Sequence, residues 1–154
     1  MDFQKELLAE YDREVEKTRK ILEALPDGAD FNFKPHPKSM ALGGLAGHVT
    51  DMTGDWALHT LTLDKLEFPA DHKWEQFKPA SSAEAIKKLD SKLPDVRKAL
   101  AEIKPEQWDQ HWQFIFGGNV WIDQPRHQVF RRQVVQADPH PGRLTLERVE
   151  DARQ

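Results

Sequence analysis

The sequence predicts an all-α fold, a four-helix bundle with a long crossover between the second and third helices. Three segments carry apolar residues at spacings of three and four, which is the period of one helix face. A fourth, shorter helical segment follows a stretch of alternating aromatic residues. Four helices with one long connection are typical of this architecture. The length fits a single domain over residues 1–154.

The first helix is predicted over residues 2–25, because apolar side chains recur on one face and charged ones fill the other. The apolar face comprises Phe3, Leu7, Tyr11, Val15, Leu22 and Leu25. Pro26-Asp27-Gly28 ends the helix. Residues 31–37 contain two prolines that force their neighbours into extended conformations, so this stretch is predicted not to be helical.

The second and third helices are predicted from their caps and their periodicity. Ser39 is a good N-cap for a helix that runs to about Thr62. After a polar and aromatic connection, Ser81 and Glu84 have the spacing of a capping box. The apolar residues behind this box are Ile86, Leu89, Leu93, Val96, Leu100 and Ile103. Pro94 is expected to kink the third helix or to remove one of its backbone hydrogen bonds.

A short extended segment is predicted before the last helix. Trp112, Phe114 and Phe116 alternate with other residues, and Gly117-Gly118-Asn119 supplies a turn before a second apolar run. This pattern indicates a short hairpin or clasp. Asp123 is then the predicted N-cap of the fourth helix.

The fourth helix is predicted to end near Ala137, since Asp138-Pro139-His140-Pro141-Gly142 is a strong helix breaker. A helix this short leaves apolar surface on its neighbours. Such a surface predicts either a homodimer or a tail that folds back over it.

Charge and residue usage exclude several classes of function. The net charge is −4, so we expect no nucleic-acid partner. No apolar run approaches the ~18 residues that a membrane span requires, so no membrane partner is expected. Gln4-Lys5-Glu6 interrupts any secretory signal, and the expected location is the cytoplasm. The absence of cysteine excludes disulfides, thiolate ligands and a cysteine nucleophile.

One side of the second helix carries a polar row, which consists of His48, Asp51, Asp55 and His59. The spacings of three, four and four put these residues within about 80° on a helical wheel. Imidazoles and carboxylates one turn apart can bind a divalent metal. The same spacing also gives ion pairs on a solvated face, which is the favoured interpretation for Asp51, Asp55 and His59.

Three histidines are candidate metal ligands. His48 lies at the edge of the apolar stripe of the second helix, about 40° from Met52, and is either a ligand or a hydrogen-bonded, partly buried histidine. The second interpretation is the commoner one for histidine. His127 is followed at i+4 by Arg131, so it has no paired histidine one turn away. His140 lies in the helix breaker, a position suited to a loop ligand or to no role at all.

Other patterns give little support to catalysis, and no catalytic residue is identified. The sequence contains no Gly-x-Ser-x-Gly nucleophile elbow. Gly43-Gly44 lacks the lysine and the strand context of a phosphate loop, so close helix packing or a loosened first turn explains it better. The five tryptophans are expected to fill the bundle ends and the long connection, or alternatively to line an aromatic pocket.

Five blocks of sequence carry a family resemblance: Thr18-Arg19-Lys20-Ile21-Leu22, Phe33-Lys34-Pro35-His36-Pro37-Lys38-Ser39, Leu42-Gly43-Gly44-Leu45-Ala46-Gly47-His48-Val49, Trp112-Gln113-Phe114 and Arg126-His127-Gln128-Val129-Phe130-Arg131. Together they resemble the DinB-like (DinB/YfiT) superfamily over about residues 1–136. The resemblance implies a helical bundle in which three histidines hold a divalent metal (Zn or Ni), with His48 matching the ligand on the second helix. It also implies thiol-dependent transferase or isomerase activity with bacillithiol, mycothiol or glutathione-like cosubstrates.

The chain departs from this family pattern after Val135. The resemblance implies two further histidines four residues apart, in a motif reading roughly Asn-His-x-x-His-His-Arg-Gly-Gln. Ala137 stands where the first belongs, and His140 lies near the second, shifted by one residue. A methyl group cannot replace an imidazole, so the three-histidine site cannot form as the family builds it. The divergent tail, residues 137–154, suggests a late shift of reading frame, which comparison of the three frames of the gene would test.

Two functions remain open from the sequence. The first is a divalent-metal-dependent transferase or hydrolase with an impaired site, in which His48 is joined by His140 or His127 and acts on a small-molecule or thiol substrate. The second is a non-catalytic helical bundle that binds a small ligand or a partner.

Overall fold

The fold is described by a computed structural model, which covers residues 2–26 and 28–135. In chain order the elements are α1 (Phe3–Glu23), α2 (Leu42–Asp51), a π-helical turn π1 (Met52–Trp56), α3 (Ala57–Thr62), β1 (Lys65–Phe68), α4 (Ser82–Glu102), α5 (Pro105–Asp109), β2 (His111–Phe116), β3 (Asn119–Pro125), α6 (Arg126–Phe130) and a second π-helical turn π2 (Arg131–Val135). Elements α2, π1 and α3 follow one another without a break, and we call residues 42–62 the second helix. Elements α6 and π2 likewise form the last helix, residues 126–135. The predicted helix end near Ala137, and His140, lie outside the described residues.

A three-stranded sheet makes the predicted all-α class wrong. The strand order is β1-β2-β3, with β1 parallel to β2 and β2 antiparallel to β3. Leu66 of β1 pairs with Phe114 of β2, which in turn pairs with Ile122 of β3. The extended segment expected before the last helix is therefore part of a mixed sheet. The short strand in the crossover supplies its first member.

Two predicted helix caps are also wrong. The second helix begins at Leu42 and not next to Ser39, because the N–H groups of Leu42 and Gly43 donate to carbonyls of the preceding loop at 2.9 and 2.8 Å. Backbone acceptors thus replace the expected serine side chain. Asp123 lies inside β3, where its carboxylate is 2.7 Å from Nδ1 of His111. The last helix starts only after Pro125.

The cap of α4 follows the prediction closely. Ser81 Oγ accepts a hydrogen bond from the N–H of Glu84 at 3.2 Å, and the Glu84 carboxylate accepts one from the N–H of Ala80. Pro94 stays within α4, which runs on to Glu102. Ion pairs between α1 and α4, Arg19 with Asp90 and Arg97 with Asp12, hold the two helices side by side.

The apolar interior consists of two groups of buried side chains. The larger comprises Leu7, Tyr11, Val15, Ala57, Leu61, Leu89, Val96, Leu100, Ile103, Trp108, Phe130 and Val134. The smaller comprises Leu22, Leu25, Leu42, Leu45, Ala46 and Ala85. The second helix thus contributes to both interiors, one at each of its ends. In the described part of the chain, no helix combines the length and apolarity needed to cross a membrane.

The second helix and the last helix run antiparallel. Element α6 contacts α3, and π2, which follows α6, contacts π1, which precedes α3. The two π-helical turns therefore lie side by side. Tyr11 reaches this point from α1 and donates its buried hydroxyl to the carbonyl of Thr53 in π1 at 2.6 Å. Burial raises the pKa of the Tyr11 phenol well above its usual value.

Candidate functional site

His48 lies on α2, where its side chain is half-buried and not fully enclosed. Asp51 follows one turn later and also lies half-buried. Burial raises the pKa of the Asp51 carboxyl above its usual value, while the charge of Lys88 opposes the shift. His48 contributes a smaller effect of the same sign as Lys88, so the imidazole and the carboxylate lie within each other's electric field.

Two lysines of α4 hold the carboxylates of the polar row. Lys88 Nζ is 3.2 Å from Asp51 Oδ1 and 3.8 Å from Asp55 Oδ2, and Lys92 Nζ is 3.0 Å from Asp55 Oδ1. The pKa of Lys92 is raised, chiefly by its hydrogen bond to Asp55. Asp51 Oδ1 is buried and makes no hydrogen bond among the described residues, so Lys88 holds it by charge. An ammonium thus occupies the space between two carboxylates that a divalent cation would need.

The polar row does not act as one unit in the structure. Its ion pairs involve Asp51 and Asp55, and His59 takes no part in them. The π-helical turn π1 precedes His59, and its wider winding displaces the residues after it around the helix axis relative to a regular α-helix. A wheel drawn at a constant angle per residue cannot anticipate this displacement.

Residues 69–80, which we call the strap, cross the second helix beside His48. Their close approach depends on glycines: a Cβ atom at Gly47 would lie 1.7 Å from the carbonyl oxygen of Phe77. At Gly43 a Cβ atom would lie 3.0 Å from the carbonyl oxygen of Pro79. The Phe77 ring in turn lies under Lys88 Nζ, 4.2 Å from it. Gly43 is thus packed closely against the backbone of Pro79 in the strap and of Phe31, and not against another helix.

An aromatic cluster covers the face of the sheet that is turned towards the second helix. It comprises Trp56, Phe68, His72, Trp74, Trp112, Phe114 and Phe116. The Trp56 ring lies 5.5 Å from both Trp112 and Phe114. The indole N–H groups of Trp56 and Trp112 are buried and have no acceptor within the described ranges. The rings contact one another and pack Trp56 of the second helix against the sheet, while Trp74 stays 55% exposed.

His127 lies in a different part of the molecule from His48. It lines an open cleft of about 810 Å³ between the start of α1, α5 and the last helix. The cleft is lined by Asp2, Phe3, Gln4, Pro105, Trp108, Asp109, His127 and Arg131. Nε2 of His127 is 3.7 Å from Asp109 Oδ1, and its ring centroid is 6.0 Å from that of Phe3. The structure does not bring His127 to the polar row, and the third candidate, His140, lies outside the described residues.

His36 and His72 have partners close to them in the chain. His36 Nδ1 accepts a hydrogen bond from the N–H of Lys38 within its loop. His72 stacks on Phe68, with ring centroids 4.3 Å apart. Over residues 2–26 and 28–135, no group of three or more histidine, aspartate or glutamate side chains is arranged to hold a metal ion.

Arg126 is the most deeply buried charged side chain described, with 1% of its surface exposed. Its Nη1 donates to the carbonyls of Thr60 and Leu63 at 2.6 and 2.7 Å, and its Nε donates to the carbonyl of Gln107 at 3.2 Å. These carbonyls lie at the end of the second helix and in α5. Arg126 therefore ties three elements together and satisfies backbone acceptors that α3 leaves open at its end.

Sequence reasoning missed Lys88, Tyr11 and Arg126. One signal for Lys88 was present: Lys88 and Lys92 are four residues apart on α4, and Asp51 and Asp55 are four apart on the second helix. Opposite charges at matched spacing on two amphipathic helices can pair across the interface between them. The partners of Tyr11 and Arg126 are backbone carbonyls, which leave no mark on side-chain patterns.

The comparison with protein families agrees with the resemblance. The family model DinB_2, described as the DinB superfamily, matches residues 10–136. The chain therefore belongs to the DinB superfamily. It has no significant match among curated proteins or among solved structures.

Proposed function

We propose that this DinB superfamily member is a binding protein in which lysines, and not a divalent metal ion, neutralise the carboxylates of the second helix. The observation that carries the proposal is the position of Lys88 Nζ, 3.2 Å from Asp51 and 3.8 Å from Asp55. A metal ion entering between these carboxylates would have to displace an ammonium that already satisfies their charge. The favourable free energy of metal binding would be reduced by the loss of the ion pairs that the metal breaks.

The described residues do not fit the three-histidine centre that the family resemblance implies. A zinc site needs three or four nitrogen, oxygen or sulfur ligands around one point. His48 and His127 lie in separate regions, and the described ranges contain no group of three candidate ligands. The competing hypothesis, a metal-dependent transferase or hydrolase, requires His48 to act together with His140.

The cleft beside His127 supports a binding role. Its volume of about 810 Å³ lies within the range of small-molecule sites, about 300–1,000 Å³. Phe3 offers a partly exposed ring on one side, and the side chains of His127 and Arg131 supply polar atoms next to it. Three apolar side chains and five polar or charged ones line the cleft, a combination that suits a small polar organic molecule with an apolar part.

Metal analysis separates the proposal from the competing hypothesis. The full chain is purified without chelators, and its metal content is compared with that of His48→Ala. His59→Ala, on the same helix but outside the ion pairs, is the matched control. We expect no stoichiometric metal in any of the three proteins. About one metal ion per chain in the wild type and in His59→Ala, lost in His48→Ala, would establish His48 as a ligand and overturn the proposal.

A fragment screen by NMR tests the binding role itself. Small aromatic acids, amines and alcohols are titrated against the full chain while backbone amide shifts are followed. We expect the largest shifts at Phe3, Trp108 and His127, and weaker binding in His127→Ala than in the control His36→Ala. Shifts confined to other regions, or no fragment that binds, would contradict the assignment of the cleft.

A further inference from the structure

A second cleft, which we call the Gly43 cleft, lies beside the start of the second helix. None of the described residues that line it also lines the cleft beside His127. The volume of the Gly43 cleft is about 750 Å³, within the range of small-molecule sites. Its lining comes from the loop of residues 29–34, from residues 40–44 and from residues 76–80 of the strap. The cleft therefore forms only when these distant segments come together in the fold.

The loop and the strap are both attached to the first turn of the second helix. A Cβ atom at Gly43 would lie 3.0 Å from the carbonyl oxygen of Pro79 and 3.1 Å from that of Phe31. The N–H of Gly43 donates to the Phe31 carbonyl at 2.8 Å. On the other wall, the side-chain amide of Gln76 donates to the carbonyl of Gly44 at 3.4 Å. Both walls are thus held against the same turn, so a ligand would meet a site that is already formed.

Each wall of the Gly43 cleft carries one lysine. Lys34 from the loop and Lys78 from the strap both line the cleft, and neither ammonium group has an ion pair or hydrogen bond with a described residue. Asp30 is the one acidic residue in the described lining, and its Oδ1 accepts a hydrogen bond from the N–H of Asn32 at 2.9 Å. The lining therefore has an excess of positive charge, although the net charge of the chain is −4.

The lysine side chains, and not the helix start, supply the positive charge that a ligand would meet. The N–H groups of Leu42 and Gly43 already donate to backbone carbonyls of the loop. An ammonium group on a flexible four-carbon stem can adjust its position to an anion. Hydrogen bonds from such a group to an anion are shorter and stronger than those between neutral groups. One anionic group can therefore bind to lysines from both walls.

We propose that the Gly43 cleft binds a small organic anion, a carboxylate or a phosphate ester. Its anionic group lies between Lys34 and Lys78, and its apolar part contacts Phe31, Met40 and Pro79, which also line the cleft. A mainly apolar wall with a few placed polar groups is typical of sites for small molecules. Binding here does not require that the cleft beside His127 is also a binding site.

An NMR titration of the full chain with monobutyl phosphate, pentanoate and neutral pentanamide tests the proposal. We expect at least one of the two anions to shift the amide signals of Phe31, Gly44 and Gln76, and pentanamide to bind more weakly or not at all. The order of affinity of the two anions shows whether the site prefers a phosphate or a carboxylate. Pentanamide that binds as tightly as the anions would overturn the proposal, and so would the absence of shifts at these residues.

Lysine variants distinguish a specific site from general attraction to a positive surface. Lys34→Gln and Lys78→Gln should each raise the dissociation constant of the anion about fivefold or more. The matched controls are Lys38→Gln, just after the loop, and Lys73→Gln, on the strap, because neither lysine lines the cleft. Both controls should bind like the wild type at the same ionic strength.

Two results with these variants would overturn the proposal. The first is a loss of affinity that is equal in all four variants, which indicates general attraction. The second is a pair of variants, Lys34→Gln and Lys78→Gln, that bind like the wild type. Anion-dependent shifts confined to Phe3, Trp108 and His127 would also overturn it, while leaving the function proposed for the other cleft intact. Circular dichroism checks that every variant is folded.

Discussion

Two cationic side chains contact the second helix at different places, and their environments are opposite. Arg126 is buried at the helix end and donates to three backbone carbonyls. Lys88 lies midway along the helix with 29% of its side chain exposed, between Asp51 and Asp55. The guanidinium is a planar fork fixed by several acceptors, whereas the ammonium is a compact charge on a flexible stem.

This difference distinguishes a cation that holds the fold together, Arg126, from a cation that a ligand could replace, Lys88. Removing Arg126 would leave three carbonyls without this donor, and the carbonyl of Thr60 lies in a buried contact, where an unsatisfied acceptor is costly. Removing Lys88 would leave carboxylates that are still partly hydrated. The region of Lys88 is therefore where a ligand or an ion can compete with the protein's own charges, and the region of Arg126 is not.

The largest effect is expected for Arg126→Met. The loss of its hydrogen bonds to three carbonyls should lower the free energy of unfolding by about 3–5 kcal/mol. Chemical denaturation measures the change, and Arg132→Met, at an exposed position of the last helix, should shift it by no more than about 0.5 kcal/mol. A loss below about 1 kcal/mol for Arg126→Met would erase the contrast between the two cations.

The second-largest loss of stability is expected for Gly47→Ala, which tests how the strap packs against the second helix near Lys88. The added Cβ atom would lie 1.7 Å from the Phe77 carbonyl, so the strap must move, at a cost of about 1–3 kcal/mol or more. Gly54→Ala is the matched control on the same helix, because its nearest neighbour is the side chain of Lys92 at 3.2 Å. Thermal denaturation of both variants is the measurement. Equal melting temperatures would show that the strap does not bear on the helix.

A smaller effect is expected for Tyr11→Phe, which removes the hydroxyl that binds π1. Loss of this buried hydrogen bond should lower the free energy of unfolding by about 1–2 kcal/mol. The pKa of Tyr11 is raised in the folded state, so its contribution is fully present below the ordinary tyrosine pKa of 10.0. It is lost as the pH rises above that value, because only the unfolded chain then ionises.

Denaturation between neutral and alkaline pH checks the Tyr11 prediction. The wild type should lose stability above the ordinary tyrosine pKa more steeply than Tyr11→Phe. Tyr11 is the only tyrosine of the chain, so ultraviolet absorbance reports its ionisation directly. Phenolate that appears in the folded protein at the ordinary pKa would contradict the burial of this hydroxyl.

Much of the helical structure could be predicted from the sequence, because its signals are local. The apolar period of α1 and α4 and the cap at Ser81 depend on residues within a few turns. Strand β1 gave no such signal. Its four residues become a strand by pairing with β2, which lies far along the chain. Local propensity does not encode that contact.

The candidate site was predictable only in part. His48 could be placed on the second helix from the sequence, because the spacing of the apolar residues around it defines the helix face. Its surroundings depend on the non-local contacts of Lys88 and Phe77, and on a π-helical turn that changes the direction of the residues behind it. The ion pair between Asp51 and Lys88 joins two helices, and the matched spacing of their charges was its only signal in the sequence.

The smallest effect on stability is expected for Lys88→Met. Half-exposed ion pairs contribute about 0–1 kcal/mol, so the loss at neutral pH should stay in that range. Without Lys88 the pKa of Asp51, already raised by burial, should rise further. The stability difference from the wild type is then largest above this raised pKa and fades as the pH falls through it. Chemical denaturation at neutral and acidic pH measures the stability difference between Lys88→Met and the wild type. A stability difference that grows as the pH falls would contradict the prediction.

A calorimetric titration of Zn²⁺ into chelator-treated wild type and Lys88→Met tests the central claim most directly. If Lys88 holds the place of a divalent cation, its removal frees the carboxylate of Asp51, one turn from His48, while Asp55 stays paired with Lys92. The variant should then bind Zn²⁺ about tenfold more tightly than the wild type, or better. Tight one-to-one binding by the wild type that Lys88→Met leaves unchanged would contradict the claim.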